Sequence, residues 1–191
     1  MNKIIGILGM QGAIAEHQEI LLQIPHTKTR IVKTAKDLDC IDGLILPGGE
    51  STAIGKLLDY FSLKEILRQK IISGLPVFGT CADLILLAKN IENQTNTHLA
   101  TMDITVKRNG YGSQLDSFST NLLIPTIDKN MPIPLVFIRA PYITKTDKDV
   151  QILATLDNKI IAARQKNMLV SSFHPELTCD LRFHQYFLSM I

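Results

Sequence analysis

The sequence has no tryptophan, few other aromatic residues and no block of like charge. Its 20 basic and 18 acidic residues are interspersed and give a formal net charge of +2. Proteins whose main partner is a nucleic acid or an anionic membrane usually carry a basic patch or a basic helix face. The interspersed charges therefore argue against both classes of partner.

Long apolar runs and paired cysteines are also missing. No apolar stretch approaches the ~20 residues that span a bilayer, and the run in M-N-K-I-I-G-I-L-G is too short for a secretion signal. The cysteines Cys40, Cys81 and Cys179 are odd in number and widely spaced, without a C-x-x-C pair. We therefore expect no disulfide framework, no metal site and a cytoplasmic location. The turn Gly9–Gly12 lacks the spacing of nucleotide-binding loops, and no cofactor is expected.

What is present is an ordinary globular composition with alternating structural patterns. With 191 residues, 46% of them hydrophobic, the chain fits a single domain spanning 1–191. Apolar runs at Lys3–Leu8, Gly43–Leu46 and Pro76–Gly79 predict strands buried on both faces, with helical patterns between them. This alternation predicts an α/β fold, a three-layer sandwich with a mostly parallel central sheet and helices on both faces.

The second half of the chain is richer in strand patterns. Lys159–Ala163 and Met168–Phe173 predict a hairpin pair, and Leu122–Pro125 predicts a further strand. We therefore expect an antiparallel extension of the central sheet.

The stretch Leu75–Leu87, L-P-V-F-G-T-C-A-D-L-I-L-L, predicts a strand, a sharp turn and a helix that runs to about Lys89. The turn carries Cys81. A thiol at a helix start meets the positive end of the helix dipole, and such a turn exposes its side chain at the carboxyl edge of a sheet. Cys81 is therefore a candidate nucleophile. The alternative is a buried cysteine that packs as a small hydrophobic residue.

A second strand-to-helix junction is glycine-rich, with the sequence P-G-G-E-S-T at Pro47–Thr52. Backbone N–H groups at such a junction suit a developing oxyanion. Ser51 or Thr52 can cap the following helix, Ala53–Tyr60. The alternative is a tight turn and a helix cap without chemistry, because Gly and Ser dominate turns for conformational reasons.

The segment S-F-H-P-E at Ser172–Glu176 follows the last predicted strand. In an extended chain residues two apart point to the same side, which would place Glu176 beside His174. A carboxylate beside an imidazole orients its tautomer and raises its basicity, as a cysteine nucleophile requires. The alternative is a structural histidine. A thiol, an oxyanion turn and this pair at the ends of strands favour the catalytic interpretation.

These motifs resemble the class I, triad-type glutamine amidotransferases, which share L-P-G-G-E-S, G-T-C-A and F-H-P-E. The resemblance extends over essentially the whole chain to the glutaminase subunits of pyridoxal 5′-phosphate synthase. It rests on G-M-Q-G-A-I-A-E-H, L-I-L-P-G-G-E-S-T, R-N-G-Y-G-S-Q, F-I-R-A-P and S-F-H-P-E-L, found at Gly9–His17, Leu44–Thr52, Arg108–Gln114, Phe137–Pro141 and Ser172–Leu177. The first block and the Arg-Ala-Pro block are its more specific marks.

The resemblance implies a role for each matching residue. Cys81 would attack the side-chain amide of L-glutamine, His174 would transfer the proton, and Glu176 would orient His174. The product would be a glutamyl thioester that water hydrolyses to glutamate. The oxyanion donors would be the backbone N–H groups of Ala82 and of the Gly48-Gly49 turn. The implied glutamine-binding positions are Gly48, Gly49, Glu50, Ser51, Ala82, Arg108, Ile138 and Arg139.

The resemblance also implies a partner. Ammonia would pass to a (β/α)-barrel synthase subunit, in a large hetero-oligomer, for vitamin B6 biosynthesis. In such proteins the glutaminase is weak until it docks, and the region Gly9–Glu16 would contribute to docking.

Two residues depart from the family pattern. Asp83 stands where the family has glycine after Cys-Ala, and its charge would either oppose a thiolate at Cys81 or act as a first-turn helix acid. Ser113 stands where the family usually has arginine. Two alternatives to an active glutaminase of this pathway remain: a docking or regulatory subunit impaired by Asp83, and a glutaminase that serves another acceptor enzyme.

Overall fold

The computed structural model describes residues 2–110 and 117–191. Within these ranges the α-helices are α1 (Ile14–Leu22), α2 (Ser51–Tyr60), α3 (Lys64–Ile72), α4 (Ala82–Leu87) and α5 (Arg182–Leu188). Short 3-10 helices lie at Ala35–Cys40 and Pro175–Leu177. No helix in the described part of the chain has the length and apolar character needed to cross a membrane.

The strands form one large sheet and one two-stranded ribbon. They are β1 (Lys3–Leu8), β2 (Thr27–Val32), β3 (Gly43–Leu46), β4 (Val77–Thr80), β5 (Ala88–Ile91), β6 (Met102–Lys107), β7 (Ser117–Leu122), β8 (Ile133–Ile138), β9 (Tyr142–Thr146), β10 (Gln151–Leu156), β11 (Lys159–Gln165) and β12 (Met168–Ser171). The large sheet has the order β2-β1-β3-β4-β12-β11-β9-β6-β5, with β10 also paired to β11, while β7 and β8 form the ribbon.

The first five strands in this order are all parallel to their neighbours. Strand β11 then pairs antiparallel with β12, β10 and β9, and β9 pairs antiparallel with β6. The predicted mostly parallel sheet with an antiparallel extension is confirmed. The hairpin predicted near Lys159–Ala163 and Met168–Phe173 is the β11–β12 pair.

Both faces of the parallel strands are buried, as the continuous apolar runs predicted. In β3, Leu44 and Leu46 point to one hydrophobic cluster and Ile45 to the other, because successive side chains of a strand alternate between faces. Helices α2, α3 and α4 contribute to the first cluster, and α1, α5 and the β7–β8 ribbon contribute to the second. The predicted three-layer arrangement follows from these two packed faces.

Several boundaries differ from the prediction. Helix α4 ends at Leu87 rather than near Lys89, because the chain continues directly into β5, which pairs with β6. The strand predicted at Leu122–Pro125 lies earlier, since β7 ends at Leu122. Strand β9 was not predicted. The sequence of this segment did not indicate a strand, and β9 is stabilised by its pairing with both β6 and β11.

The topology brings three turns together. Strands β3, β4 and β12 are adjacent and parallel, so their carboxyl ends share one edge of the sheet. Residues 47–50 follow β3, Cys81 follows β4, and residues 172–176 follow β12. Ligands of open α/β sheets bind beyond such carboxyl ends.

Candidate active site

Cys81 occupies a strained turn between β4 and α4. Its backbone dihedral angles are φ 50° and ψ −108°, in a region that residues with a Cβ rarely adopt. The Cys81 N–H donates to Ser171 O at 2.8 Å, which ties the turn to β12. Helix α4 starts close against β4, since a Cβ at Gly79 would lie 3.1 Å from the backbone of Asp83. This is the geometry of a nucleophile elbow.

His174 and Glu176 form the contact that the sequence predicted, but in a different conformation. His174 Nδ1 and Glu176 Oε1 are 2.7 Å apart. The extended chain assumed for them is wrong, because Pro175–Leu177 is a 3-10 helix that begins with proline. Proline fixes φ near −65° and suits the first helical position, so this turn brings the carboxylate back to the ring. The His174 N–H donates to Val136 O at 2.8 Å and anchors the turn to β8.

This pair is held in a charged state. Burial lowers the pKa of His174, but its hydrogen bonds with Cys81 and Glu176 more than offset burial and raise that pKa to about 10. Burial opposes ionisation of Glu176, but the nearby rings of His17 and His174 lower its pKa. Because Nδ1 faces Glu176, the Nε2 of His174 is the nitrogen left for the Cys81 thiol.

Gly48 separates the nucleophile from the base. A Cβ at this position would lie 2.8 Å from His174 Cε1 and 3.1 Å from Cys81 Cβ. The Gly48 N–H is already used, because it donates to Thr80 Oγ1 at 3.0 Å. Gly49 N–H and Ala82 N–H have no acceptor among the described residues. Of the predicted oxyanion donors, these two groups are therefore the ones available to a substrate.

Two histidines to which the sequence analysis gives no role, His17 and His184, lie behind the triad. His17 Nε2 is 3.5 Å from Glu176 Oε1 and 3.3 Å from Thr80 Oγ1, and its Nδ1 is 3.0 Å from His184 Nε2. A carboxylate only accepts hydrogen bonds, so the His17 nitrogen that faces Glu176 carries the proton and Nδ1 accepts from His184. Their position in the apolar patterns of α1 and α5 was the available signal, since both rings are fully buried.

Burial keeps these two rings neutral. It lowers the pKa of His17, against the opposing effect of Glu176. Burial together with the nearby His17 lowers the pKa of His184 to about 3. The triad carboxylate is therefore flanked by a charged imidazole on one side and a neutral one on the other.

The predicted substrate-binding residues surround a single cavity of about 500 Å³. Cys81 and His174 line it as well, whereas Glu176 lies behind His174. Sequence reasoning missed Ile85, Asn109 and Pro141, which also line the cavity. Its full lining is Gly48, Gly49, Glu50, Ser51, Cys81, Ala82, Ile85, Arg108, Asn109, Ile138, Arg139, Pro141 and His174.

Charged side chains lie at the mouth of this cavity. Arg108 donates to Glu50 Oε1 at 3.1 Å and to Thr52 Oγ1 at 3.2 Å. Glu50 also caps α2, because its carboxylate accepts from Thr52 N and Ala53 N at 2.9 and 2.8 Å. The cap predicted at Ser51 or Thr52 is therefore one or two residues too late. Within the described residues Arg139 has no ion pair, and it is exposed at the cavity with φ 44°.

The bonds at Glu50 also fix its charge. Burial opposes its ionisation, but the bonds from the α2 amides, Thr52 and Arg108 outweigh it and lower the pKa of Glu50. The mouth therefore holds one carboxylate and two guanidinium groups.

The turn after β1 touches the oxyanion turn directly. Ala13 N donates to Gly48 O at 3.2 Å, and Glu50 N donates to Gln11 Oε1 at 3.3 Å. Gly12 has φ 108°, and a Cβ there would lie 2.4 Å from Gly48 O. Movement of this turn would therefore be transmitted to the Gly48-Gly49 peptide.

Two further predictions concern the loop residue Ser113 and the presence of a metal site. Ser113 and the other residues of the predicted binding loop from Tyr111 to Gln114 lie outside the described residues. Over 2–110 and 117–191, no group of three or more His, Cys, Asp and Glu side chains is arranged to hold a metal ion.

Comparison with known proteins identifies the family. Residues 7–191 match the model of the SNO glutamine amidotransferase family. The chain is 53% identical over 189 residues to a pyridoxal 5′-phosphate synthase subunit PdxT of Ruminiclostridium cellulolyticum, covering 99% of this chain and all of that protein. A subunit of the same name from Carboxydothermus hydrogenoformans is 54% identical over 98% of this chain and 97% of its own length.

A solved structure of a glutamine amidotransferase superposes with a TM-score of 0.89 at 38% identity, over 97% of both chains. The family match and the curated relatives each span nearly the whole sequence. The chain belongs to the SNO glutamine amidotransferase family.

Proposed function

We propose that this chain is the glutaminase subunit of a pyridoxal 5′-phosphate synthase and hydrolyses L-glutamine to glutamate and ammonia at Cys81. The observation that carries this proposal is the joint geometry of the site. An elbow cysteine, a base bonded to a buried carboxylate at 2.7 Å, and two free backbone N–H groups border one cavity. Family membership and the names of the relatives support the same activity.

The chemistry follows from which groups face the cavity. His174 already holds the proton of the Cys81–His174 pair, and Cys81 Sγ attacks the carboxamide carbon. The N–H groups of Ala82 and Gly49 stabilise the resulting oxyanion. Collapse breaks the C–N bond, and the proton on His174 leaves with ammonia. Water then gives a proton to His174 and attacks the thioester, which releases glutamate and restores Cys81 beside the protonated His174.

The mouth supplies the groups that recognise an amino acid. The guanidinium groups of Arg108 and Arg139 suit the α-carboxylate of glutamine, and the carboxylate of Glu50 suits its ammonium group. Gly48, Ser51 and Ile138 complete the wall between the mouth and the nucleophile. A carboxamide side chain can then extend towards Cys81.

Ammonia passes to the synthase subunit, a (β/α)-barrel with which the chain forms a large hetero-oligomer. The turn that bonds to Gly48 O and to Glu50 N is part of the Gly9–Glu16 docking region implied by the family resemblance. Docking there would adjust the oxyanion turn and so link activity to the partner.

The chain acts as a single glutaminase domain in the cytoplasm. One continuous sheet with a hydrophobic cluster on each face supports the single domain. Reducing conditions suit a thiol nucleophile, and Cys40 and Cys179 are free and exposed.

The direct test measures glutamate release from L-glutamine with and without the synthase subunit. We expect release to rise when the synthase is added and to fall more than about 10³-fold in Cys81→Ala. Cys179→Ala is the matched control, because Cys179 is exposed and does not line the cavity, and it should retain wild-type activity. Persistent release in Cys81→Ala would contradict the assignment of the nucleophile.

One observation favours a second candidate, a docking subunit with impaired chemistry. Asp83, adjacent to the elbow, is fully buried and its two carboxyl oxygens have no hydrogen-bond partner among the described residues. This candidate predicts complex formation without turnover, and recovery of turnover in Asp83→Gly. A wild-type rate at least as high as that of the glycine variant would exclude it.

A further inference from the structure

Several buried side chains at or behind the triad have polar atoms without partners. They include Asp83, with both carboxyl oxygens, Glu176, with Oε2, Ser172, with Oγ, Ser51, with Oγ, and His184, with Nδ1. The absence of partners applies to residues 2–110 and 117–191. Buried polar groups are nearly always hydrogen-bonded, so such a cluster needs an explanation.

The surroundings of Asp83 do not favour a second negative charge. Burial and the charge of Glu176 raise the pKa of Asp83 well above its usual value, and His174 opposes them only in part. Glu176 itself is already stabilised as the carboxylate by His17 and His174. Two carboxyl groups in one buried site cannot readily both ionise, and one of them retains its proton.

A neutral carboxylic acid differs from a carboxylate in what it can bond. It carries one O–H donor, whereas a carboxylate can only accept. The two oxygens of Glu176 are unequally used: Oε1 faces His174 at 2.7 Å and His17 at 3.5 Å, and Oε2 has no partner among the described residues. Oε2 is therefore a carboxylate acceptor without a partner, and a protonated Asp83 needs an acceptor for its O–H group.

We propose that Asp83 is a positioning residue that retains its proton and donates a hydrogen bond to Glu176 Oε2. This bond fixes the plane of the carboxylate whose other oxygen orients His174. It adds no charge beside Cys81, so neither charge effect predicted for Asp83 from the sequence operates. The proposal rests on the proposed function, because Glu176 matters to the reaction only if His174 is its base.

Two substitutions separate the hydrogen bond of Asp83 from the packing of its side chain. Asp83→Asn keeps a donor of similar size and cannot ionise, whereas Asp83→Leu keeps the branched shape, with larger methyl groups, and has no donor. We expect kcat for glutamine hydrolysis, measured with the synthase subunit present, to stay within about threefold in the asparagine variant and to fall about tenfold or more in the leucine variant. KM should change little, because Asp83 does not line the cavity.

A double-mutant cycle distinguishes positioning from general support of the fold. If Asp83 acts through Glu176, Asp83→Leu should have little further effect on kcat in a Glu176→Gln background. An equal loss in both backgrounds would overturn the proposal. So would an Asp83→Gly variant more active than the wild type, since Asp83 would then hinder the triad.

Two measurements on the protonation state need no activity. The infrared spectrum at pH 7 should contain a protonated-carboxyl band that Asp83→Asn lacks. An unfolded aspartate releases its proton above about pH 3.9, so the wild-type folding equilibrium constant should fall relative to Asp83→Asn by up to about tenfold per pH unit above that value. Parallel stability profiles and an unchanged spectrum would show an ionised Asp83 and overturn the proposal.

The two proposals fail in distinguishable ways. Absence of Cys81-dependent glutamate release with the synthase subunit would contradict the proposed function, and the spectrum and stability profiles would still decide the state of Asp83. Normal release in the wild type together with an Asp83→Leu variant of equal kcat would leave the function intact and remove the role of Asp83.

Discussion

The floor and the mouth of the cavity each contain a carboxylate paired with a cation, in opposite surroundings. At the floor, the side chains of His174 and Glu176 are 9% and 0% exposed and lie 2.7 Å apart. At the mouth, those of Arg108 and Glu50 are 29% and 52% exposed and lie 3.1 Å apart. The same kind of contact therefore has two different roles in one site.

The difference teaches which part of the site is fixed and which part adapts. A buried pair is costly to break, because removal of one partner leaves an uncompensated charge away from water. An exposed pair is screened and contributes little to stability. The floor is suited to hold a reacting geometry, and the mouth can exchange its internal pair for the charged groups of a substrate.

The largest expected effect comes from breaking the floor pair. Glu176→Gln leaves His174 with a neutral partner and should lower kcat by about 10²- to 10⁴-fold, because a wrongly oriented imidazole neither holds the Cys81 proton nor delivers it to the leaving ammonia. Steady-state kinetics with the synthase subunit would check this. A variant that retains wild-type kcat would show that Glu176 does not orient the base.

A smaller but still large effect should follow from crowding the floor. The Cβ of Gly48→Ala would lie 2.8 Å from His174 Cε1 and 3.1 Å from Cys81 Cβ. We expect kcat to fall about 10²-fold, the usual consequence of a displacement near 1 Å. Gly74→Ala is the control: no described atom lies within 4 Å of its new Cβ, and φ 110° there affects stability only. Equal kcat for the two variants would contradict the close approach.

The pH dependence of stability should separate the charged and neutral histidines of the floor. The folded-state pKa of His174, about 10, lies above its usual value of 6.5. The contribution of protonated His174 to the free energy of unfolding is therefore complete below about pH 6.5 and is lost as the pH rises towards 10. The folded-state pKa of His184, about 3, is depressed, so its contribution is present above about pH 6.5 and is lost as the pH falls towards 3.

Chemical denaturation across this range would measure both effects, each with a slope of at most about 1.4 kcal/mol per pH unit. We expect His174→Gln to lose the alkaline slope and His184→Gln to lose the acid slope. Variants that keep both slopes would assign them to other groups.

The smallest effect is expected at the mouth. Glu50→Gln weakens the contact with Arg108 and the charged cap of α2, and should lower stability by about 1 kcal/mol. KM for glutamine should rise about three- to tenfold with kcat within about twofold, because the change affects binding rather than the reacting groups. A loss confined to kcat would place Glu50 with the floor and remove the distinction between the regions.

The parts of this site that could be predicted are those that local patterns encode. The elbow at Cys81 and the glycine turn at Gly48 each combine a buried strand, a turn and a helix within a few residues. Once a parallel sheet is predicted, the two turns are expected at the same edge, because the carboxyl ends of parallel strands meet there. The contact between His174 and Glu176 was also predicted, although Pro175 achieves it through a 3-10 turn rather than an extended chain.

The parts that could not be predicted depend on contacts between distant segments. His17 and His184 are 167 residues apart in sequence and meet behind Glu176. Their position in the apolar patterns of α1 and α5 indicates burial, but it does not distinguish either from a histidine that packs in the core. Asp83 was assigned a charge effect because its position, two residues after Cys81, was visible, whereas its complete burial was not.

The mouth shows the same limit on a smaller scale. Glu50 caps α2 and binds Arg108 from a different loop. Local preferences favoured Ser51 or Thr52 as the cap. The Glu50 carboxylate caps the helix instead, and Arg108, which the fold brings from a different loop, also binds it.

Nitrogen NMR of the imidazole rings, followed from pH 5 to pH 10, tests the fixed floor most directly. We predict that His174 remains doubly protonated until the pH approaches about 10, that His184 stays neutral throughout, and that His17 has a pKa below that of an ordinary imidazole. Loss of the His174 proton near pH 6.5, the value of an unperturbed ring, would contradict the buried charged pair on which the assignment of base and orienting carboxylate depends.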